Sequence, residues 1–464
     1  MCVLLLNLYK NFVPENYGMV TAANQITIVS TLDKDDRLTN VVHEQLLRRL
    51  IGWIEVPFST VYGRGKIDGW LRLQRPLFFT GYSMPDRPSY LKVLIAFDPP
   101  LAPPRMQPPD RVESVENEKI VAQCQAWTRA CTAVDDSRRY AALVTDINGK
   151  AVLACRFLAP VRPPQSVPHP GANPRRTVEV AARLVSQIPF VADPALFPGS
   201  TDLWTTIEKF LSLGCGDEEE HAVLLCCWLL SLQIPSCLVL GFALPEGSKA
   251  AYVFINLPDG IYLVNPCDGS VYPSTDAMCP LASVGTVITP KNAYGNIQSY
   301  GHPSQLQFDL NRTSDWKPLF DRELDEVQSI QAPVVNYAEV SEDALIELRS
   351  SIEREIKVRF DEARKYGIPQ WNLMASRLFR EILQDENVSL DTRLARLRDS
   401  YTVTVTAFSM PYKSVQDCVA AVLRCGLHAT TSSSSQFALA VHLQPAFGHV
   451  IGCSIALGLL TLRM

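Results

Sequence analysis

Apolar and polar positions change their period along the chain, and each change marks an element. Residues 1–100 alternate with the two-residue period of half-buried strands, so segments 25–30, 52–56, 70–73 and 90–97 are expected as strands. Turn chemistry separates them at Tyr62-Gly63-Arg64-Gly65 and at Ile67-Asp68-Gly69. Prolines from Pro99 to Pro109 fix backbone angles and remove amide donors, which suits a linker rather than a sheet. Residues 116–134 read as a helix and 140–158 as a hairpin turning at Asn148-Gly149, and a second proline-rich linker covers 160–174.

From 175 to about 320 the pattern is that of one α+β unit. A helical stretch near 200–213 leads through Gly214-Cys215-Gly216 to a helix at 218–232, with Ala222, Leu225, Cys226, Leu229 and Leu232 forming a core-facing stripe. Asp217, Glu218, Glu219 and Glu220 fill the start of that helix, where carboxylates favour the positive end of the dipole. Strands follow at 236–243, 250–256 and 261–265, the last two joined by Leu257-Pro258-Asp259-Gly260. Residues 341–384 are helical, with Leu345, Leu348, Ile352, Ile356 and Phe360 on one face. The last 64 residues, 401–464, combine a strand at 402–408, a helix near 412–425, a loop at 430–435 and strands at 436–443 and 450–456. The chain therefore divides into 1–100, 101–174, 175–320, 321–400 and 401–464.

Composition narrows the function classes. A length of 464 residues suits two to four domains, and a formal charge of −5 without a basic stripe argues against a grip on nucleic acid. Thirteen cysteines are an odd number, and Cys226 and Cys227 adjoin inside an apolar helix, so they read as reduced thiols in a cytosolic compartment. Cys226, Cys227, Cys237, Cys267 and Cys279 lack the pair spacing of a zinc site. Asp33, Asp35 and Asp36 share one loop without further oxygen donors and read as a solvated turn rather than a calcium site. No metal and no cofactor is expected. The apolar run 450–462 falls short of the ~20 residues that cross a bilayer and reads as a closing strand or core helix.

The chemistry concentrates at Gly216-Asp217-Glu218-Glu219-Glu220-His221. This segment resembles the nucleophile segment of transglutaminase-like and papain-like domains, in which Gly-x-Cys opens a helix packed on strands. Helix N-terminal amides lower a thiol's pKa, a histidine on a neighbouring strand acts as base, and an Asp or Asn orients that histidine. The resemblance puts the nucleophile at Glu218, the base near Ala250 and the orienter near Asn265. A glutamate cannot do thiolate chemistry, and no histidine lies between His221 and His302, so the set is degenerate and no catalytic residue is assigned. The alternative enzyme reading is a cysteine peptidase or transglutaminase with a displaced site at Cys215, His221 and His302. Cys215 otherwise reads as a small loop residue and His221 as a helix residue satisfied locally. The inactive site leaves a candidate docking cleft of Asp217, Glu218, Glu219, His221, Tyr252 and Asn265, whose acidic rim would steer a basic peptide. Against it stands the reading that these carboxylates only cap a helix.

Further segments extend the resemblance to a family. Ile54-Glu55-Val56-Pro57-Phe58-Ser59-Thr60-Val61-Tyr62 and Arg64-Gly65-Lys66-Ile67-Asp68-Gly69 resemble late strands of a C2 domain. Pro174-Arg175-Arg176-Thr177-Val178, Asp202-Leu203-Trp204, Val264-Asn265-Pro266-Cys267 and Cys279-Pro280-Leu281-Ala282-Ser283 resemble a following transglutaminase-like domain. With Met410-Pro411-Tyr412, Gly426-Leu427-His428 and Phe437-Ala438-Leu439-Ala440-Val441, the chain resembles the carboxy-terminal half of the coiled-coil and C2 domain-containing protein 2A family over about residues 40–456. The resemblance implies an α+β chain: a partial C2 β-sandwich, a catalytically inactive transglutaminase-like domain, and helical and small α/β additions. It also implies a non-catalytic scaffold at the cytoplasmic side of the cilium base, in the transition zone and basal body, serving cilium assembly and gating. The implied partners are tectonic-type, Meckel-syndrome-type and B9-domain proteins, with membrane contact reserved for a complete C2 domain. A lipid-binding C2 module is the third reading, for which no basic or aromatic loop cluster is visible.

Overall fold

A computed structural model describes residues 3–12, 47–79, 88–99, 113–171, 173–198, 202–325, 327–337, 339–384, 390–430 and 435–462. The expected strand at 25–30, the aspartates at 33–36 and most of the 99–109 linker lie outside these residues.

A seven-stranded sheet forms the centre. Its strands are ordered in space Ser270–Pro273, Gly260–Asn265, Ala251–Leu257, Ser236–Ala243, Leu281–Ile288, Ala293–Asn296 and Trp316–Pro318, and every pair is antiparallel. Strand alternation sorts the side chains into two cores. Leu238, Leu240, Val253 and Ile255 face the helices, whereas Val239, Tyr252, Phe254 and Leu263 pack with Trp316 on the other face. The Glu218–Ser231 helix lies on the first face against Ser236–Ala243 and Ala251–Leu257, and Pro174–Val185 and Ile207–Leu213 cover its back. It is buried from Glu218 to Leu229, so the single core-facing stripe is corrected to a helix enclosed on all sides.

The 160–174 stretch is likewise no solvated linker. Val161 and Val167 are buried in the same core, and the Val161 amide donates to the Cys227 carbonyl at 3.1 Å. Leu143–Thr145 and Ala151–Leu153 form the hairpin that Asn148-Gly149 predicts, with Gly149 at φ +76°.

Helices Glu342–Ala363 and Leu373–Gln384 flank a second sheet, ordered Gln370–Trp371, Gln436–Phe447, Val450–Leu462, Tyr401–Pro411 and Phe78–Phe79. Ile352, Ile356 and Phe360 pack on Phe437, Leu439 and Ile455 on one face. On the other, Ala438, Ala440 and Ala456 leave room for Phe379, and a Cβ on Gly458 would strike the Phe379 ring. The expected continuous helix 341–384 is therefore two helices broken at Gln370–Trp371, because that short strand joins the sheet in parallel with Gln436 and Phe437. The 321–400 and 401–464 segments share one sheet and form one unit.

The N-terminal segment binds both units together. Among the described residues of the expected partial sandwich, Val3–Phe12 pairs with Leu47–Pro57 and Lys66–Arg72 pairs with Tyr90–Ala96, two ribbons that share the cluster of Ile54, Val56, Ile67 and Leu71. Phe58–Arg64 is a helix, not a turn: Thr60 and Val61 are buried, the Phe58 and Tyr62 rings stack at 5.7 Å, and Gly65 ends it at φ +77°. Ile67, Asp68 and Gly69 are strand, since Ile67 is buried beside Ile54, Val56, Val61 and Leu71. Toward the central sheet, Arg72 donates to Ser270 and, at 3.2 Å, to the Tyr272 hydroxyl. Toward the second sheet, the Leu77 amide donates to the Ala407 carbonyl, and Arg424 reaches Glu55 at 3.4 Å across a sequence separation of 369 residues. Trp228 and Phe447, with rings 5.1 Å apart, join the two sheet units directly.

Candidate functional site

The start of the buried helix is built by its own side chains. Asp217 is the N-cap and takes the Glu219 amide on Oδ1, while Glu220 Oε2 accepts the Asp217 amide at 3.1 Å, completing a capping box. Glu220 Oε1 also accepts the Thr205 amide at 3.0 Å. Gly216 precedes the cap because any Cβ there would meet the Phe210 ring at 2.6 Å. Asp217→Ala is expected to lower the unit's unfolding free energy by about 0.5–2 kcal/mol, read by urea denaturation, with Asp217→Asn largely retaining it.

The three positions expected for nucleophile, base and orienter are not all brought together. Glu218 is the first residue of the helix and Asn265 ends the strand Gly260–Asn265, whereas Ala250, just before the strand Ala251–Leu257, is buried in the cluster of Val239, Tyr252 and Phe254 on the sheet face away from the helix. Glu246, which the sequence reading did not single out, joins Asn265 to Tyr252. Its Oε1 accepts from Asn265 Nδ2 at 2.8 Å, the Tyr252 hydroxyl lies at 3.5 Å, and its charge is felt at Glu218. Asn265 Nδ2 also reaches the Tyr252 hydroxyl at 3.2 Å.

The open acidic rim expected of the docking cleft is corrected by burial. Asp217 is 0% exposed, Glu218 7% and Glu219 1%, and His221, Tyr252 and Asn265 are buried with them. The sequence suggested a solvated first turn because acidic residues commonly line helix starts. Here the turn is roofed by its neighbours, and cations that the sequence reading passed over make this tolerable. Arg139 Nη2 lies 2.5 Å from Glu219 Oε1 and 3.2 Å from Asp202 Oδ2. Lys249 Nζ lies 4.0 Å from Asp217 Oδ2. Four successive acidic residues running from the N-cap into a helix that continues almost wholly apolar from Ala222 to Leu230 are the signal that buried cations have to come from elsewhere.

The charges respond accordingly. Burial pushes Glu219 up, but the Arg139 guanidinium outweighs it and holds the carboxyl below the ordinary range. Burial first, then Glu219, raises Asp217 and Glu218 well above it. Burial lifts Glu220 to about 7 and Glu246 to about 7, and burial with Glu219 lifts Asp202 to about 6. Carboxyls raised on folding hold protons that the unfolded chain releases, so stability falls as pH rises through their folded values. Glu219 works oppositely: its contribution is present above the unfolded carboxylate value and is lost as acid titrates its lowered one. The urea midpoint is therefore expected to fall as pH rises from about 4.5 to about 7 and to level off above that, and Glu220→Gln with Glu246→Gln should flatten that slope.

Oxygens of Asp193, Asp217 and Glu220, and of Asp217, Glu218 and Glu219, approach within 4.8 Å of one another. Arg139, Lys249 and backbone amides already serve much of this donor set.

The displaced enzyme does not assemble either. His221 Nδ1 lies 2.6 Å from the Asp217 carbonyl and Nε2 3.0 Å from the Ile188 carbonyl, and burial lowers its pKa. Both ring nitrogens are thus spent on backbone. The Cys215 thiol is half-buried with its pKa raised by burial and points at the Leu213 carbonyl, and His302 caps the short turn Pro303–Gln305 through Ser304. Among the described residues no helix is long and apolar enough to cross a membrane.

These features are those of a peptidase-like α+β domain in which, among the described residues, no complete catalytic cysteine or metal site is assembled. Residues 202–319 match the family model of the CEP76 peptidase-like domain. The chain is 28% identical to human Protein CC2D2B over 432 residues, covering 87% of this chain and 30% of that protein. It is 28% identical to the Drosophila melanogaster coiled-coil and C2 domain-containing protein 2A over 316 residues, covering 65% of this chain and 23% of that protein. Human centrosomal protein of 76 kDa is 25% identical over 242 residues, covering 48% of this chain and 35% of that protein. The chain is thus similar both to coiled-coil and C2 domain-containing proteins of the 2A type and to centrosomal protein of 76 kDa. It spans about a third or less of the length of these relatives.

Proposed function

We propose that the chain is a non-catalytic scaffold of the ciliary transition zone, on the cytoplasmic side of the cilium base, required for cilium assembly and gating. The reading takes Glu218, Ala250 and Asn265 as what stands at the nucleophile, base and orienter positions, and what supports it is that the neighbouring carboxylates of Glu219 and Asp217 are buried and paired with Arg139 and Lys249 rather than presented for chemistry. Similarity to proteins named for the centrosome and for coiled-coil and C2 domains supports it. In this reading the 175–320 unit is a transglutaminase-like domain that lost its chemistry, and residues 1–100 are the remainder of a C2 domain. The partners are tectonic-type, Meckel-syndrome-type and B9-domain proteins.

Proximity labelling from the tagged chain in ciliated cells should enrich those proteins and mark the cilium base. A diffuse cytosolic signal with none of them enriched would sink the proposal. The purified protein should neither cleave peptides nor transfer amines, and Cys215→Ala should leave its stability unchanged. Stoichiometric labelling of Cys215 by a peptide electrophile, abolished by His221→Ala, would restore the enzyme reading.

A further inference from the structure

The segment 244–249 lies over the degenerate site and is held from outside by the N-terminal ribbon. Its two ends behave differently. At the outer end, Leu244 packs against the cluster of Ile54, Val56, Val61, Ile67 and Leu71, and Gly69 is crowded directly against it. The Thr60 hydroxyl donates to the Pro245 carbonyl at 2.7 Å, and Gly247, at φ +91°, passes so close to Thr60 that a Cβ would lie 2.9 Å from its hydroxyl. These contacts are apolar or satisfied.

At the inner end stands Glu246. One carboxyl oxygen takes Asn265, and the other is buried with no hydrogen-bond partner. Burying an unsatisfied carboxyl oxygen is costly. The segment is thus pressed in by its anchor against the preference of its tip. It also sets Lys249 beside Asp217 Oδ2. An ammonium of this chain occupies the place that a lysine of another segment would take on those carboxylates.

We propose that residues 244–249 are an internal plug, with Glu246 filling the groove between Glu218 and Asn265 and Lys249 standing in for the lysine of a cationic partner segment, held shut by the N-terminal ribbon. This rests on reading Glu218, Ala250 and Asn265 as a former active site. Releasing the Leu244 anchor opens the groove and presents Asp217 and Glu218 to a lysine-rich segment, the class that charge complementarity selects.

The test uses the full chain and follows alkylation of its cysteines by mass spectrometry. Cys267 lies below the plug, half-buried beside Glu218 and Glu246, and Cys226 is fully buried in the helix of the same unit. Leu244→Ala should speed Cys267 labelling by at least about tenfold, the effect of 1.4 kcal/mol on an opening equilibrium, without changing Cys226. Thr60→Val should act in the same direction should Leu244→Ala fold poorly. Glu246→Gln, which relieves the tip, should slow Cys267 labelling. Equal acceleration of Cys226 and Cys267, or acceleration of neither, would overturn the plug. Fluorescent octalysine should bind the Leu244→Ala chain and not the unaltered one, and release without that binding would overturn the cationic occupant. None of these readouts depends on where the protein resides in cells, so the scaffold proposal can fail while the plug stands, and the reverse.

Discussion

Arg139→Met is expected to lose about 3–5 kcal/mol of unfolding free energy, the loss typical of truncating one partner of a buried ion pair. Arg139 is 15% exposed and reaches both Glu219 and Asp202, and Glu219 is 1% exposed with one oxygen already lacking a partner. Removing the guanidinium leaves that carboxylate in an apolar helix start with no compensation. The sharper form of the test is a double change. Arg139→Met with Glu219→Met removes both charges, and apolar side chains of similar size should recover much of the loss. Urea denaturation of the four proteins gives the coupling energy. A double variant as unstable as the sum of the singles would show that Arg139 and Glu219 act separately, and the account of the buried cluster would fail with it.

Trp228→Ala should cost a similar ~3–5 kcal/mol, as large-to-small changes of fully buried aromatics do, but its consequence is distributed differently. Trp228 is 0% exposed and its indole nitrogen donates to the Tyr337 hydroxyl at 2.9 Å. Its ring meets Tyr337 at 6.0 Å and Phe447 at 5.1 Å, both edge-on. Tyr337 in turn donates to the Arg162 carbonyl at 2.8 Å. One side chain therefore joins the buried helix, the 159–162 segment and the hairpin tip of the second sheet. The truncation should separate one calorimetric transition into two. Trp228→Phe, which keeps the ring contacts and loses the indole donor, should keep a single transition at a lower temperature. A Trp228→Ala protein that still melts in one step would show that the units are held elsewhere.

What the sequence made legible follows from what each signal depends on. Period-two alternation and β-branched runs placed the strands Ser236–Ala243, Ala251–Leu257 and Gly260–Asn265 nearly to the residue, because those patterns are local. That no histidine lies between 221 and 302 needs no geometry to be seen. The closure of the site was not legible. Arg139 precedes Glu219 by 80 positions in an unremarkable Arg-Arg-Tyr, and Glu246 sits in a loop whose composition suggests exposure. Their meaning is set by which carboxylate each meets across the fold, a tertiary fact. The N-terminal turns were misread for a related reason. Gly63, Gly65 and Gly69 signal turns to a local reading, but Gly65 ends a helix and Gly69 makes room for Leu244 inside a strand.

The ribbon that holds Trp53 and Glu55 meets residues that the ribosome delivers much later. Glu55 and Arg424 are 369 residues apart, and Arg424 lies over Trp53 at 5.4 Å. At about 5–20 residues per second, the ribbon would wait from roughly twenty seconds to more than a minute after its own synthesis before that partner emerges. Throughout that interval Trp53 and the strand Phe78–Phe79 lack the sheet that completes them, and they are the segments a chaperone would have reason to hold on the nascent chain.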